Sequence, residues 1–161
     1  MLKDKLKSLK SAIRIIRLLQ KKNKKVVFTN GCFDLLHYGH VKYLEEAKAK
    51  ADFLVVGLNS DASVRRLKGD NRPLNKQYDR ARLIAGLESV DLVVIFNEDT
   101  PLRIIRLLKP NILVKGADWN TLDIVGRDCV INNGGRVLTI KYKKGYSTTG
   151  LIKQIAKTKF S

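Results

Sequence analysis

The sequence is short of the residues that staple or metallate small folds. Among 161 residues there are two cysteines, two histidines, three prolines, one tryptophan and one methionine. Cys32 and Cys129 stand far apart, and neither belongs to a C-x-x-C or Cys/His cluster. A disulfide scaffold and a structural zinc site are therefore set aside. No stretch approaches the roughly 18 consecutive apolar residues of a membrane span, and the first residues alternate Leu and Lys without a signal-peptide core. The expectation is a cytoplasmic protein with no membrane partner. Acids are scarce as well, 15 against 32 Lys and Arg, which leaves a net charge of +17. With 44% hydrophobic and 29% charged residues the chain reads as one ordinary globular domain, able to bury a core.

The positive charge is unevenly spread. Residues 1–25 hold ten Lys and Arg against Asp4 alone, a net +9. In the same segment Leu2, Leu6, Leu9, Ile13, Ile16 and Leu19 recur at spacings of three and four. The pattern predicts a basic amphipathic helix over residues 1–24, ahead of a catalytic domain over 25–161. Such a helix ordinarily packs by its apolar face and leaves its lysines solvated; attachment to a membrane surface or nucleic acid is the alternative. A homodimer formed partly by the stripe of residues 2–19 is a further expectation. A basic nucleic-acid-binding module is the rival from another functional class. The chain lacks the aromatic-interleaved basic strand of a single-strand RNA module, so no nucleic acid is expected as partner. The remaining +8 suits a small polyanionic substrate.

From Lys25 onward strands and helices alternate. "VVFTNG", "DFLVVGLNSD", "DLVVIF", "NILVKGADW" and "GGRVLTIKY" read as strands, with helices predicted at "HVKYLEEAKAKA", "DASVRRLK", "QYDRARLIAGLESV", "TLDIVGRDCVINN" and after "GYSTTG". In "EDTPLRIIRLLKP", Thr100 is the expected N-cap, Pro101 the first helical residue and Pro110 the stop. "GDNRPLNK" (69–76) should be a loop, and a mobile one. Near-continuous apolar strands alternating with helices imply an α/β fold: Rossmann-like, doubly wound, a five-stranded, mainly parallel sheet with helices on both faces. Ligands of such sheets bind outside the carboxyl ends of the strands. The polar exits at Asn30-Gly31, Asn59-Ser60-Asp61, 115–119 and 145–149 should converge there.

Both histidines of the chain, His37 and His40, fall just after the first strand. A spacing of three puts them on one face of a helical turn, where imidazole N–H groups would join the positive end of the helix dipole. That arrangement suits phosphate. Two polar residues capping a helix is the plainer reading. Zinc is disfavoured because no further ligand lies nearby, and no metal-binding residues are assigned. Ser147-Thr148-Thr149 before the last helix could hold phosphate oxygens or serve simply as an N-cap. Lys68 and Arg80, taken alone, are ordinary surface cations. Trp119 at a strand end could equally pack in the core.

The string "GCFDLLHYGH" resembles the H-x-G-H signature of the nucleotidyltransferase superfamily. "VGLNSD", "LKGDNRP", "VDLVVIF" with "EDTP", "KPNILVKGADW" and "GYSTT" follow in the order and spacing of the heptose-1-phosphate adenylyltransferase family, also found as the C-terminal half of a bifunctional heptose kinase/adenylyltransferase. The resemblance covers essentially all of residues 25–156. It implies catalytic roles at phosphate for His37, His40, Lys68 and Arg80. It further implies nucleotide contacts from the turn Asn30, Gly31, Cys32 and Phe33, and from Gly39 and Asn59. Lys115 and Gly116 should also bind the nucleotide, Asp118 and Trp119 should lie near ribose and base, and Ser147, Thr148 and Thr149 near the outer phosphates. Ala117 and Trp119 depart from the family, which commonly has a second glycine and a tyrosine there. Asp34 is expected to order the turn and not to act as a base.

The implied reaction is transfer of AMP from ATP to D-glycero-D-manno-heptose 1-phosphate, with Mg²⁺ carried by the triphosphate. Glycerol-3-phosphate cytidylyltransferase, which shares the H-x-G-H and S-T-T blocks, is the nearest alternative.

Overall fold

A computed structural model describes residues 5–141 and 145–158. Leu2 of the expected helix and Tyr142 of the expected fifth strand lie outside the described residues. Five strands form one sheet: β1 (Val26–Gly31), β2 (Phe53–Asn59), β3 (Leu92–Phe96), β4 (Ile112–Gly116) and β5 (Arg136–Ile140). Their order is β3-β2-β1-β4-β5 and every pairing is parallel. Seven helices accompany them among the described residues: α1 (Leu9–Lys21), α2 (Tyr38–Lys48), α3 (Asp61–Lys68), α4 (Gln77–Ala85), α5 (Leu102–Leu108), α6 (Arg127–Asn132) and α7 (Thr148–Lys157). The expected doubly wound α/β architecture is the one observed. No helix among the described residues is long and apolar enough to cross a membrane.

The β-branched runs form strands because both sheet faces are covered, so successive side chains find apolar partners on alternate sides. Val27, Leu54, Val56 and Leu58 pack with Leu44 and Ala47 of α2 and Ala81 and Ile84 of α4. Val26, Phe28, Val55 and Leu113 pack on the other face with Ala12 and Ile16 of α1, Ile104 and Ile105 of α5, and Val130 of α6. Burying one such side chain stabilises the fold by about 1.5–3 kcal/mol.

Three boundaries differ from the sequence reading, each for a local reason. Helix α1 begins at Leu9, where the Ser8 hydroxyl accepts from Ser11 N at 3.2 Å. Leu6 lies before that cap and forms a parallel bridge to Val93, while Lys7 N donates to the Val93 carbonyl at 3.1 Å. The N-terminal segment thus covers the open edge of β3. Thr100 does not cap α5; Pro101 takes the cap position itself, with no side-chain hydrogen bond there. The segment expected as a single helix at 121–133 is split into a 3₁₀ turn at Thr121–Asp123 and α6, because Gly126 adopts φ 88°, a left-handed conformation between them.

The apolar stripe of α1 is spent within the chain. Ala12 and Ile16 are fully buried against the sheet, with Leu9, Ile13 and Leu19 packed beside them. Because β1 is the middle strand and the chain crosses from the β2–β3 side to the β4–β5 side, the topological switch point lies at the carboxyl ends of β1 and β4.

Candidate active site

The crevice at that switch point has a volume of about 630 Å³. Strand β1 delivers Asn30, Gly31, Cys32 and Phe33 to its floor, and the start of α2 delivers His37 and His40. Lys68, the last residue of α3, reaches it from the β2 side. Asp118 comes from the β4 exit, and Ser147, Thr148 and Thr149 come from the start of α7. Twelve of the residues singled out from the sequence, Asp34 among them, therefore meet at one cavity, although 119 positions separate the first from the last.

The histidines are more closely coupled than their spacing implied. His37 is the N-cap residue of α2, in extended conformation, and its ring folds back on His40. The two rings stack at 3.7 Å between centroids, 17° from parallel, and Phe33 meets His40 edge-on at 5.1 Å. Gly39 makes this possible. A Cβ there would come within 2.9 Å of Tyr146 Cβ and 3.1 Å of the His37 ring. Asn30 Oδ1, His37 Nδ1 and His40 Nδ1 are buried without a hydrogen-bond partner among the described residues. Unmet hydrogen bonding of this density is what a ligand-binding turn leaves open.

Burial sets the protonation of the pair. Desolvation, followed by the neighbouring His37 ring, pushes His40 down to about 4, against a smaller opposing pull from the Leu35 backbone. Desolvation also lowers His37, opposed by its own backbone. At neutral pH the pair is uncharged and offers N–H donors instead of two repelling cations. Burial raises the Cys32 thiol despite the nearby charges of Lys68, Arg80 and Lys115, so it is not activated as a nucleophile.

Asp34 behaves as expected of it. Its Oδ1 accepts from Leu74 N at 2.8 Å and Asn75 N at 3.0 Å, and its backbone carbonyl accepts from Asn75 Nδ2 at 2.9 Å. Its Oδ2 pairs with Arg72 Nε at 2.8 Å. These bonds tie the 69–76 loop to the β1 turn, so the loop read from sequence as mobile is anchored where it borders the crevice.

Arg80 is placed differently from the sequence expectation. It is fully buried, outside the cavity lining, with Nε donating to the Asn75 carbonyl at 3.0 Å and Nη2 to the Asn59 carbonyl at 2.9 Å. Nη1 donates to the Cys32 carbonyl, and Nη2 also pairs with Asp61 Oδ1 at 2.8 Å. A guanidinium so occupied clamps the ends of β1 and β2 together and has no free edge for phosphate. Asn59 is likewise buried behind the cavity, its amide donating to Ser63 Oγ at 3.0 Å.

Lys115, Gly116 and Trp119 flank the crevice without lining it. Lys115 Nζ lies 5.6 Å from the Trp119 ring centroid. Desolvation lowers its ammonium to about 8, with Asp118 and then Cys32 pulling it upward. Trp119 is 46% exposed, which rules out the core-packing alternative for its ring.

Three lining residues were not singled out. Tyr43 closes the floor, its hydroxyl 2.7 Å from Thr29 Oγ1. Tyr146 stands 6.5 Å from the His37 ring and brings the start of α7 onto the histidine turn. Arg72 faces the cavity from the anchored loop. The signals available were an aromatic beside Ser147-Thr148-Thr149 and a second cation inside "LKGDNRP".

A crevice with neutral imidazole donors at its centre, cations on one side and a helix start bearing hydroxyls on the other is suited to hold a nucleotide by its phosphates and to stabilise charge on a transferring phosphoryl group. That is the chemistry of a nucleotidyltransferase. The chain belongs to the cytidylyltransferase-like family, whose model matches residues 28–154. It is 55% identical over 94% of its length to the bifunctional protein HldE of Geobacter metallireducens, and 53% identical over 92% to that of Campylobacter jejuni serotype O:2. These matches cover 31% and 32% of the relatives, so the chain spans about a third of their length. Among solved structures, a lipopolysaccharide core biosynthesis protein from Thermoplasma volcanium is similar with a TM-score of 0.62 and 29% identity, over 77% of this chain and 99% of that one.

Proposed function

We propose that the protein transfers AMP from ATP to D-glycero-D-manno-heptose 1-phosphate, releasing pyrophosphate and forming ADP-heptose. The observation that carries the reading is the neutral stacked pair His37–His40 at the centre of the phosphate crevice. A sugar phosphate has a second pKa of about 6, so it is largely a dianion at neutral pH. One of its oxygens can attack the α-phosphorus of ATP in line with departing pyrophosphate. The attacking oxygen carries no proton, so no general base is required, and none of the crevice residues is asked to act as one.

Catalysis then consists of positioning and charge stabilisation. His37 and His40 donate to oxygens about the α-phosphate, where charge develops. Ser147, Thr148 and Thr149, at the start of α7, receive the outer phosphates. Lys68 offsets charge from the opposite side. Asp118, Lys115 and Trp119 adjoin the ribose and base. Mg²⁺ would arrive on the triphosphate; of the two lining carboxylates Asp118 would meet its shell, since Asp34 is tied to the loop through Oδ1 and paired with Arg72. In this reading residues 25–161 carry the chemistry and the 1–24 segment contributes packing.

Pyrophosphate release, with ATP and CTP each crossed with heptose 1-phosphate and glycerol 3-phosphate, tests the assignment. Release with ATP and heptose 1-phosphate alone is expected. Turnover of CTP with glycerol 3-phosphate would overturn the sugar and the nucleotide together.

A further inference from the structure

We propose that Arg72, held in place by Asp34, forms with Lys68 the subsite for the acceptor's phosphate. The inference rests on the nucleotidyl-transfer reading of the crevice. It goes beyond that reading by dividing the cations of the 68–80 segment between two roles.

Arg72 and Arg80 lie eight positions apart in this segment. Arg80 is fully buried and engaged with carbonyls and Asp61. Arg72 makes one side-chain contact among the described residues, Nε to Asp34 Oδ2 at 2.8 Å, and it lines the cavity. The contact is an ion pair without hydrogen-bond geometry, and it leaves the two Nη groups as the open edge of a planar fork, the geometry that matches phosphate bidentately. Asp34 is 2% exposed, and its Oδ1 and backbone carbonyl are bonded to Leu74 and Asn75 of the 69–76 loop, so the carboxylate that faces Arg72 is fixed in place. Lys68 lines the same side and has no ion-pair partner among the described residues.

The sheet order separates this pair from the other phosphate grip. Lys68 and Arg72 follow β2, whereas Ser147–Thr149 follow β5, and β1 with its histidines runs between them. In-line transfer needs the attacking and departing groups on opposite sides of the α-phosphorus. With the outer phosphates at α7, the acceptor's phosphate falls on the Lys68–Arg72 side.

Titration calorimetry on the whole chain tests this with two kinds of probe. One is α,β-methylene-ATP; the others are heptose 1-phosphate, glycerol 3-phosphate and inorganic phosphate, each added alone and with the nucleotide analogue. Arg72→Gln should weaken the acceptor phosphate about 10- to 100-fold, the scale of one charge-assisted hydrogen bond, and leave the nucleotide analogue within about twofold. Arg72→Lys keeps a charge beside Asp34 but loses the fork. It should retain the melting temperature and nucleotide affinity, recover part of the acceptor affinity and raise the acceptor KM more than it lowers kcat. An equal loss of nucleotide affinity would overturn the assignment, as would unchanged acceptor affinity in both variants or no phosphate binding to the unmodified chain. If glycerol 3-phosphate or inorganic phosphate binds in place of heptose 1-phosphate and Arg72→Gln weakens it, the heptose reading fails and the subsite stands. If heptose 1-phosphate binds unmodified chain and variants alike, the subsite fails and the heptose reading stands.

Discussion

On the β1–β2 side of the crevice, the strands behind the site are buried along nearly their whole length, and Arg80 clamps their ends through backbone carbonyls. On the β5 side only Ile140 of the strand is buried, and α7 contributes no buried residue. The histidines, Lys68 and Arg72 stand on the first support, the Ser147–Thr149 hydroxyls on the second. The difference follows from sheet order. A central strand is covered by helices on both faces and by neighbours on both edges, whereas β5 is an edge strand followed by a peripheral helix. In the proposed reaction, the groups assigned to the α-phosphate stand on the better-buried support, and those assigned to the outer phosphates on the less buried one.

Hydrogen exchange should show the contrast at its largest. Amides of Val27 and Val55 are expected to outlast those of Leu151 and Ile152 by at least about a thousandfold, since central strands open only with the whole domain while peripheral helices open locally. Equal protection would erase the distinction. Arg80→Met should cost about 3–5 kcal/mol, because it leaves Asp61 and three carbonyls without their buried donor. That corresponds to a fall of about 10 °C in melting temperature for a domain of this size. An unchanged melting curve would deny the clamp its role.

His40→Ala should lower turnover by about 100- to 1,000-fold while the melting temperature moves by only a few degrees. The same ring gives the empty protein a pH signature. Its folded pKa of about 4 lies below the unfolded value, so the unfolded chain binds the proton first as pH falls from 6.5. Stability is therefore complete above pH 6.5 and declines on acidification towards pH 4, and His40→Asn should flatten that part of the melting-temperature profile. At the small end, Ser147→Ala removes an N-cap bond to Gly150 N of 2.9 Å and should cost about 1 kcal/mol, felt locally in α7. Its readout is faster exchange in α7 and a higher KM for the nucleotide, with the histidine turn unaffected.

Much of this was legible in the chain. The alternation of β-branched runs with helical periodicity pointed to the parallel sheet, and "GCFDLLHYGH" to the histidine turn that borders the crevice, because both are local patterns. Asp34 as the orderer of the turn was legible for the same reason, its loop partner being the only addition. Arg80 was not. A cation in "YDRARL" looks alike in sequence whether it faces phosphate or backbone carbonyls, and the choice depends on where β1 and β2 end relative to α4. What covers the stripe of α1 was not legible for a similar reason: an apolar face says that it will be covered and not by what, and here Ala12 and Ile16 meet the sheet.

By itself the sequence determined the order of elements, the helix start that presents His37 and His40, the excess of positive charge and the hydroxyl run that caps α7. Each follows from periodicity, capping or composition within a few neighbouring residues. Only the tertiary structure decided that His37 stacks on His40, that Arg72 faces the cavity while Arg80 turns away, and that Tyr146 meets the histidine turn across 106 positions. Those outcomes depend on which strand lies beside which, and burial then fixes the charge each side chain carries.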